Sequence, residues 1–453
     1  MTEAEVADWL YGQVEAEGVV DLTMGELEKA VDRNILEVRR IALERLTQER
    51  AAYEEFGCPK CGRMLRVVAH GRGRTVDSTF GKIRFTRSYG KCSACCEHVY
   101  PADVALGLHN RARTSPRIQE ICAVAALNAP VGKAEVDVRR MTGIDMCPTK
   151  IHNEACRQGQ RAIDIRDRDM ELSKSPDGVR ALADRAPVLP KDSTLVIEID
   201  AWNIRERDHW GQTEQLRKAG QDPGRWHWVY AGTIFRLDQR ITTQTDRRVI
   251  VDRKYVATRK GVDSFKQQLY AEALQCGLLQ AKTVLILADG AVWIWNLADD
   301  RFRRATQRVD LYHVKEHLWG LANQLHGKGT DEAKEWIQPY LEWLEKHDDG
   351  ALRIIAKLEE LKEELEAQEA KKAAVETEIG YFTRHKKRMD YTKAEELGQP
   401  LGSGAIESTC AQYQVRFKRT GQFWSLEGDE AFLALETLRR NDRWHLLFPH
   451  EKL

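Results

Sequence analysis

The chain has 453 residues, too many for one ordinary core, so two or three domains are expected. Hydrophobic residues make up 42% and charged residues 31%, and 70 basic residues balance 70 acidic ones, so only the local distribution of charge speaks about partners. The absence of any apolar run of about 18 residues excludes a spanning helix, and with no basic start leading into an apolar stretch we expect a cytoplasmic protein without a secretory signal.

Residues 1–52 read as a helical region. Val6, Leu10 and Val14 recur at helical spacing, as do Leu27, Val31, Ile35, Val38 and Leu43 after a cap at Asp21 or Thr23. Residues 53–104 change to short β-type runs bounded by Cys58-Pro-Lys-Cys61 and Cys92-Ser-Ala-Cys95, with thirty residues between the pairs. Two such knuckles present four thiolates tetrahedrally to one Zn²⁺, so a zinc ribbon is expected, with Cys96 as a rival to Cys95 for the fourth position. From Lys60 to Lys91 there are nine basic residues and one acid, Asp77, which points to a phosphate-facing surface that includes Arg63, Arg66, Arg72 and Arg74. A ribbon this poor in apolar residues needs the metal to fold.

Residues 105–172 return to helical character, broken at Pro130, Gly143 and Pro148. They suit either a helical connector or a helix-turn-helix with Lys150, His152 or Arg157 on its second helix. Residues 173–192 read as a linker. Between 193 and 329 the pattern is α/β: strands at 194–200, 226–237, 240–251 and 283–289, with a helix at 262–276. The second and third strands are expected to pair across Asp238-Gln239. Residues 330–393 are strongly helical, with a stripe of Leu352, Ile355, Leu358, Leu361 and Leu365, either a coiled-coil hairpin or an inserted subdomain. Residues 394–453 complete the domain.

Two of the apolar runs end in an acid, Leu195-Val-Ile-Glu-Ile-Asp200 and Val284-Leu-Ile-Leu-Ala-Asp289. Carboxylates at the ends of buried strands sit rigidly at the sheet edge, where ligands bind in open α/β sheets. A third acid, Glu407, follows the glycine-rich entry Gly402-Ser-Gly-Ala-Ile, which lets the backbone pack closely, on a helix that continues to Arg416, Lys418 and Arg419. Three convergent carboxylates select hard cations, so Mg²⁺ is expected, with Mn²⁺ as a substitute. Such a site suits two-metal phosphoryl transfer. Asp310 and His313, spaced as Asp-x-x-His, suit either a hydrogen-bonded pair or a histidine that touches the scissile phosphate. Arg416, Lys418 and Arg419 are read as phosphate contacts, Trp424 and His317 as packing residues.

In these stretches the chain resembles the ISKra-type insertion-sequence transposases of bacteria, distant relatives of the Mutator-like DDE transposases. The motifs are the two cysteine pairs, Ala288-Asp-Gly-Ala-Val-Trp-Ile-Trp295, Asp310-Leu-Tyr-His313-Val-Lys-Glu316-His317-Leu, Gly402-Ser-Gly-Ala-Ile-Glu407 and Arg416-Phe-Lys418-Arg-Thr-Gly-Gln-Phe-Trp424. The resemblance implies an RNase H-like catalytic domain interrupted by a helical insertion between the second and third acids, which are 118 residues apart. It places Asp200, Asp289 and Glu407 on the catalytic triad; Asp200-Ala-Trp202 departs from the Gly or other small residue expected after the Asp, a change that bears on the substrate channel and leaves the carboxylate in place. The expected activity is cleavage at transposon ends and strand transfer into target DNA by a nucleoid-associated dimer or larger assembly, with the 330–393 block as an interface. The competing readings are a domesticated, non-catalytic zinc-dependent DNA binder and a metal-dependent nuclease that does not join strands.

Overall fold

The computed structural model describes residues 2–449 apart from 17, 19, 20, 53–56, 109–111, 208, 210, 223, 247, 367, 420 and 421. Two units divide the chain, Met1–Gln158 and Gly159–Leu453.

In the first unit, α1 (Glu3–Glu15) opens with a reciprocal cap: the Glu5 amide donates to the Thr2 hydroxyl and the Thr2 amide to the Glu5 carboxylate. The expected second helix follows as α2 (Met24–Ala52). β1 (Leu65–Ser78) and β2 (Gly81–Cys92) form an antiparallel hairpin, to which β3 (His98–Val99) adds a short third strand. Alternation sorts its side chains: Val76, Ile83 and Phe85 turn inward against Leu43 and Ala51 of α2, while Lys82 and Arg84 face solvent. Ala102 of α3 (Pro101–Ala105) joins this small core. Three helices complete the helical stretch: α4 (Pro116–Asn128), α5 (Val131–Thr142), ended by Gly143 in the left-handed conformation, and α6 (Pro148–Leu172), inside which the division of the units falls. Lys150 is ion-paired to Asp77 at 2.6 Å, and Arg157, half exposed, to Glu154 one turn earlier.

In the second unit the expected linker proves to be partly helical. Ser175 caps α7 (Pro176–Ala183), with Pro176 at its first turn, and Leu182 is fully buried against Ala271 and Leu274. Then come β4 (Thr194–Glu206), α8 (Thr213–Lys218), β5 (Arg225–Arg236), β6 (Arg240–Thr242), β7 (Arg248–Ile250), β8 (Arg253–Thr258), α9 (Val262–Gln275), β9 (Thr283–Ala288), α10 (Val292–Arg301), β10 (Thr306–Val309) and α11 (Leu311–His326). The single strand expected over 240–251 is instead the β6–β7 hairpin, turned around Asp246 at φ 58°. β5 pairs with β8 rather than across Asp238-Gln239. The main sheet has the order β10-β9-β4-β5-β8, with β4 antiparallel to β5, β5 antiparallel to β8, and β4, β9 and β10 parallel.

α12 (Asp331–Lys346), α13 (Gly350–Glu364), α14 (Glu369–His385) and α15 (Tyr391–Glu396) lie between this sheet and the last two helices, α16 (Gly404–Phe417) and α17 (Leu426–Arg440). One core runs from Leu195, Ile197 and Ile199 of the sheet through Leu318, Ile337, Ile354 and Phe382, so the helical block is part of the domain rather than a projecting coiled coil. Its stripe is set differently from expectation: Ala351, Ile354, Leu358 and Leu365 are buried, and Leu352 is exposed. On the other face of the sheet Val196, Phe235 and Leu285 pack against Ala405 of α16.

Candidate functional site

Ile199, Ala288 and Val309 stand side by side in the register of the three parallel strands. The next residue on each strand is an aspartate: Asp200, Asp289 and Asp310. With neighbouring strands about 4.8 Å apart, one sheet edge therefore carries three carboxylates in a row. The strands part there. β4 does not end at Asp200 as the sequence suggested but runs on to Glu206, paired beyond that point with β5 and, at Glu206, bridged to Trp424. β9 stops, and the Asp289 carboxylate accepts the Ala291 amide at 2.9 Å. β10 stops too, and Asp310 caps α11 by accepting the amides of Tyr312 (2.6 Å) and His313 (3.2 Å).

The other oxygen of Asp310 accepts both the amide and the hydroxyl of Ser403, each at 2.5 Å, and the Leu311 amide donates to the Leu401 carbonyl at 2.9 Å. These bonds tie the glycine-rich entry of α16 to the sheet edge. Gly402 is needed there, because a Cβ would lie 2.6 Å from the Tyr312 ring. A second bond holds the start of α16: the Ile406 amide donates to the buried carboxyl of Glu198 at 2.8 Å. Burial pushes Glu198 up to about 8, against the amides of Ile406 and Ala405, which favour its charge. Cys410, one turn after Glu407, gives its thiol to Asp200, and burial together with that carboxylate raises the thiol well above its usual range.

Asp200 is raised by burial and by the charge of Asp289, with the Ala201 amide opposing. Asp310 is also buried, but His313 and Ser403 outweigh the burial and hold it at about 2. Next to Asp310, His313 is raised to about 9 and is a cation at neutral pH. The 3.7 Å between His313 Nδ1 and Asp310 makes this a charge contact rather than a hydrogen bond. One ligand atom from each of Asp310, His313 and Glu407 lies within 4.8 Å of the others, a spacing that can hold an ion; among the described residues, no such group includes Asp200 or Asp289. Asp310 already accepts four hydrogen bonds, and the trio brings Glu407 of α16 beside the first turn of α11. Tyr381 and His385 of α14 close the other side: a Cβ on Gly290 would lie 2.8 Å from the Tyr381 ring. Burial lowers His385 to about 4, and its imidazole stays neutral. His317 stacks on Tyr381 at 3.7 Å and pairs with Glu378, the packing role expected of it.

The sequence reading treated Asp310 as a partner of His313 and missed it as the third member of the row; it missed Glu198 and Cys410 altogether. An isolated acid inside Leu195-Val-Ile-Glu-Ile was the available signal for Glu198. Trp202 is buried, its ring 6.0 Å from that of Phe417. Trp424 is core, as expected, and its indole N–H donates to the Phe417 carbonyl. Arg416 is a correction: it is only 7% exposed, lies over the Trp424 and Phe432 rings, and is lowered by burial to about 10. Lys418 is exposed and Arg419 half-buried.

In the first unit the sulfurs of Cys58, Cys61, Cys92 and Cys95 all lie within 4.8 Å of one another, close enough to hold one metal ion. Cys58 and Cys95 are 3.5 Å apart and Cys61 and Cys92 3.4 Å, near the roughly 3.8 Å sulfur spacing of a tetrahedral Zn–S₄ site. The amides of Cys95 and Ala94 lower the Cys92 thiol to about 6, favouring the thiolate a metal needs. Cys96 lies outside the group. Gly62 turns the first knuckle at φ 74°, and a Cβ on Gly57 would lie 2.9 Å from the Gly62 carbonyl. Arg63, Arg66 and Arg72 are exposed on the ribbon. Arg74 is a second correction: with Arg87 it is buried in an ion pair to Asp103, and it also donates to the Ala112 carbonyl.

Among comparisons with known proteins, the model of an uncharacterised protein family (UPF0236) matches residues 231–444, a stretch that contains Asp289, Asp310, His313 and Glu407 but neither Asp200 nor the cysteine pairs. No curated protein matches the chain.

Two predictions follow from the anchoring of α16. Asp310→Ala leaves the Ser403 and α11 donors without their acceptor and is expected to cost about 2–4 kcal/mol, measured by urea unfolding. Glu198, at about 8 in the folded chain against an ordinary 4.5, binds its proton more tightly when folded. The stability it confers is therefore complete below about pH 4.5 and is lost as pH rises through about 8. Glu198→Gln should flatten that slope, making the variant more stable than the parent at pH 9 relative to pH 5 by an amount on the order of 2–4 kcal/mol; parallel slopes would count against it.

Proposed function

We propose that the chain is a DNA transposase that cleaves transposon ends and joins them to target DNA at a two-metal site held by Asp200, Asp289 and Glu407. The observation that carries this reading is the row of strand-end aspartates onto which the Glu407 helix is tied. Order and direction of the strands support an RNase H-like core: three antiparallel strands, β4, β5 and β8, then β9 and β10 added parallel beside β4. The helices α12 to α15 fall between the second and third acids, where the ISKra-type resemblance expects an insertion.

A donor set made only of carboxylate oxygens fits a hard cation, Mg²⁺ or Mn²⁺. Asp200, raised by burial and by Asp289, is a charge that such a cation relieves. When bound, the ions lower the pKa of the attacking water or 3′-hydroxyl and neutralise the leaving 3′-oxygen. The rest of the task belongs to the chain. Asp310 and Glu198 position α16 and hence Glu407, while the Ala201 amide and the Cys410 thiol orient Asp200. His313, on the first turn of α11 beside Asp310 and Glu407, is the side chain assigned to contact a phosphate oxygen.

The cysteine group is assigned to structural Zn²⁺. Around it Arg63, Arg66, Arg72, Lys82, Arg84 and Lys91 are exposed on the ribbon and suit a DNA backbone. Two transposon ends brought together call for a dimer or larger assembly on DNA.

Asp289→Asn keeps an oxygen for the Ala291 amide, so the variant is expected to fold and to bind transposon ends while cleavage falls at least about a hundredfold in a Mg²⁺ plasmid assay; cleavage at the parent's rate would overturn the assignment. Strand-transfer products in the same assay separate a transposase from a nuclease. Stripping the thiolate site with a chelator, or Cys61→Ser, is expected to unfold the ribbon and weaken duplex binding at least tenfold. Metal analysis giving no zinc in the purified chain would refute that part.

A further inference from the structure

We infer that the outer half of the β4–β5 ribbon is a stacking platform for an unpaired DNA strand next to the acidic site, an inference that rests on the strand-cleavage reading above. Pairing of β4 with β9 ends at Ile199 and pairing of β5 with β8 ends at Tyr230. Beyond these residues β4 and β5 continue as a two-stranded ribbon as far as Glu206 and Arg225. Trp226, Trp228 and Tyr230 occupy every second position of β5, so they share one face at intervals of about 6.8 Å. Opposite them on β4 stand Arg205, Asn203 and Ala201.

The two indoles are 59% and 55% exposed, an unusual cost for the largest apolar side chains on a strand. Tyr230 meets the Trp293 ring edge-on at 5.1 Å, and Trp293 lies four residues beyond Asp289. The aromatic row thus leads from the segment that carries an acid of the site to the tip of the ribbon. Guanidinium groups accompany it: Arg205, ion-paired to Asp222 at 2.7 Å, is 5.9 Å from the centre of the Trp226 ring and 5.2 Å from that of Phe423, over which Arg207 lies at 4.2 Å. The ribbon is held in place at its outer end, where the Arg207 amide donates to the Trp424 carbonyl and the Trp424 amide to the Arg205 carbonyl.

Flat rings at strand spacing with guanidinium groups beside them match bases and phosphates. In a duplex both faces of a base are covered by its neighbours, so only an unpaired strand can offer them. Exposed Trp beside Arg also suits a protein contact; the position of the row, running to Trp293 four residues beyond Asp289, favours a DNA strand that enters the acidic site.

The test uses the full chain with oligo(dT) and with a duplex of equal length, without added metal, reading anisotropy and tryptophan fluorescence. The wild type should bind oligo(dT) with quenching, and W226A/W228A should lose at least tenfold in that affinity while duplex binding changes less than twofold. Equal oligo(dT) affinity in both proteins overturns the proposal, as does a change in oligomeric state of the double variant by light scattering, which would assign the face to a protein contact. Wild type that binds oligo(dT) through these rings yet never cleaves DNA supports the platform and removes only the transposase reading. Cleavage by wild type with oligo(dT) binding unchanged in W226A/W228A removes only the platform.

Discussion

Carboxylates crowded at the end of a sheet have to be held there against their own repulsion, and much of the second unit's polar structure answers that need. The groups that do so are mostly uncharged. Backbone amides of Ala201, Ala291, Tyr312, His313 and Ser403 point at Asp200, Asp289 and Asp310, joined by one thiol and one hydroxyl. His313 is the one side-chain cation paired with any of these carboxylates or Glu407 among the described residues. Fixed dipoles orient an acid without neutralising it, which leaves the negative charge for a cation to satisfy.

The parts of this arrangement that were legible in the sequence are those written locally. Apolar runs that end in an acid mark Asp200 and Asp289, and glycines before a helix mark the close approach at Gly402. The remainder depends on partners far away in the chain. Asp310 joins the row only through the register of β10 on β9, and Glu198 only because a helix that starts two hundred residues later aims its first amides at it. Basic residues misled for the same reason. Arg74 sits in a run of cations, yet Asp103 claims it; Arg416 sits among Lys418 and Arg419, yet Trp424 and Phe432 enclose it. β6 and β7 mimic a single strand because their composition is uniform, and only the turn at Asp246 separates them.

The cysteine ribbon was easier to read because its ligand spacing is the fold's own constraint. Four thiols in two tight turns leave few other solutions, and the amides of Ala94 and Cys95 are directed at the Cys92 sulfur. What spacing did not reveal is the length of the hairpin between the turns, which extends far enough to pack Val76, Ile83 and Phe85 on α2 and so has a small apolar core of its own.

The order of the acids along the chain has a consequence for how the protein comes into being. Cysteine pairs leave the ribosome first, Asp200 and Asp289 follow, and Glu407 emerges only after a further 118 residues of mainly helical chain. At about 5–20 residues per second, that delay is roughly 6–24 s. For this interval a nascent chain can carry a finished ribbon and two of its three acids with no means of completing the set. A truncated product that ends anywhere in the helical block therefore lacks Glu407, and on the proposed reading the site would be completed only at the end of synthesis.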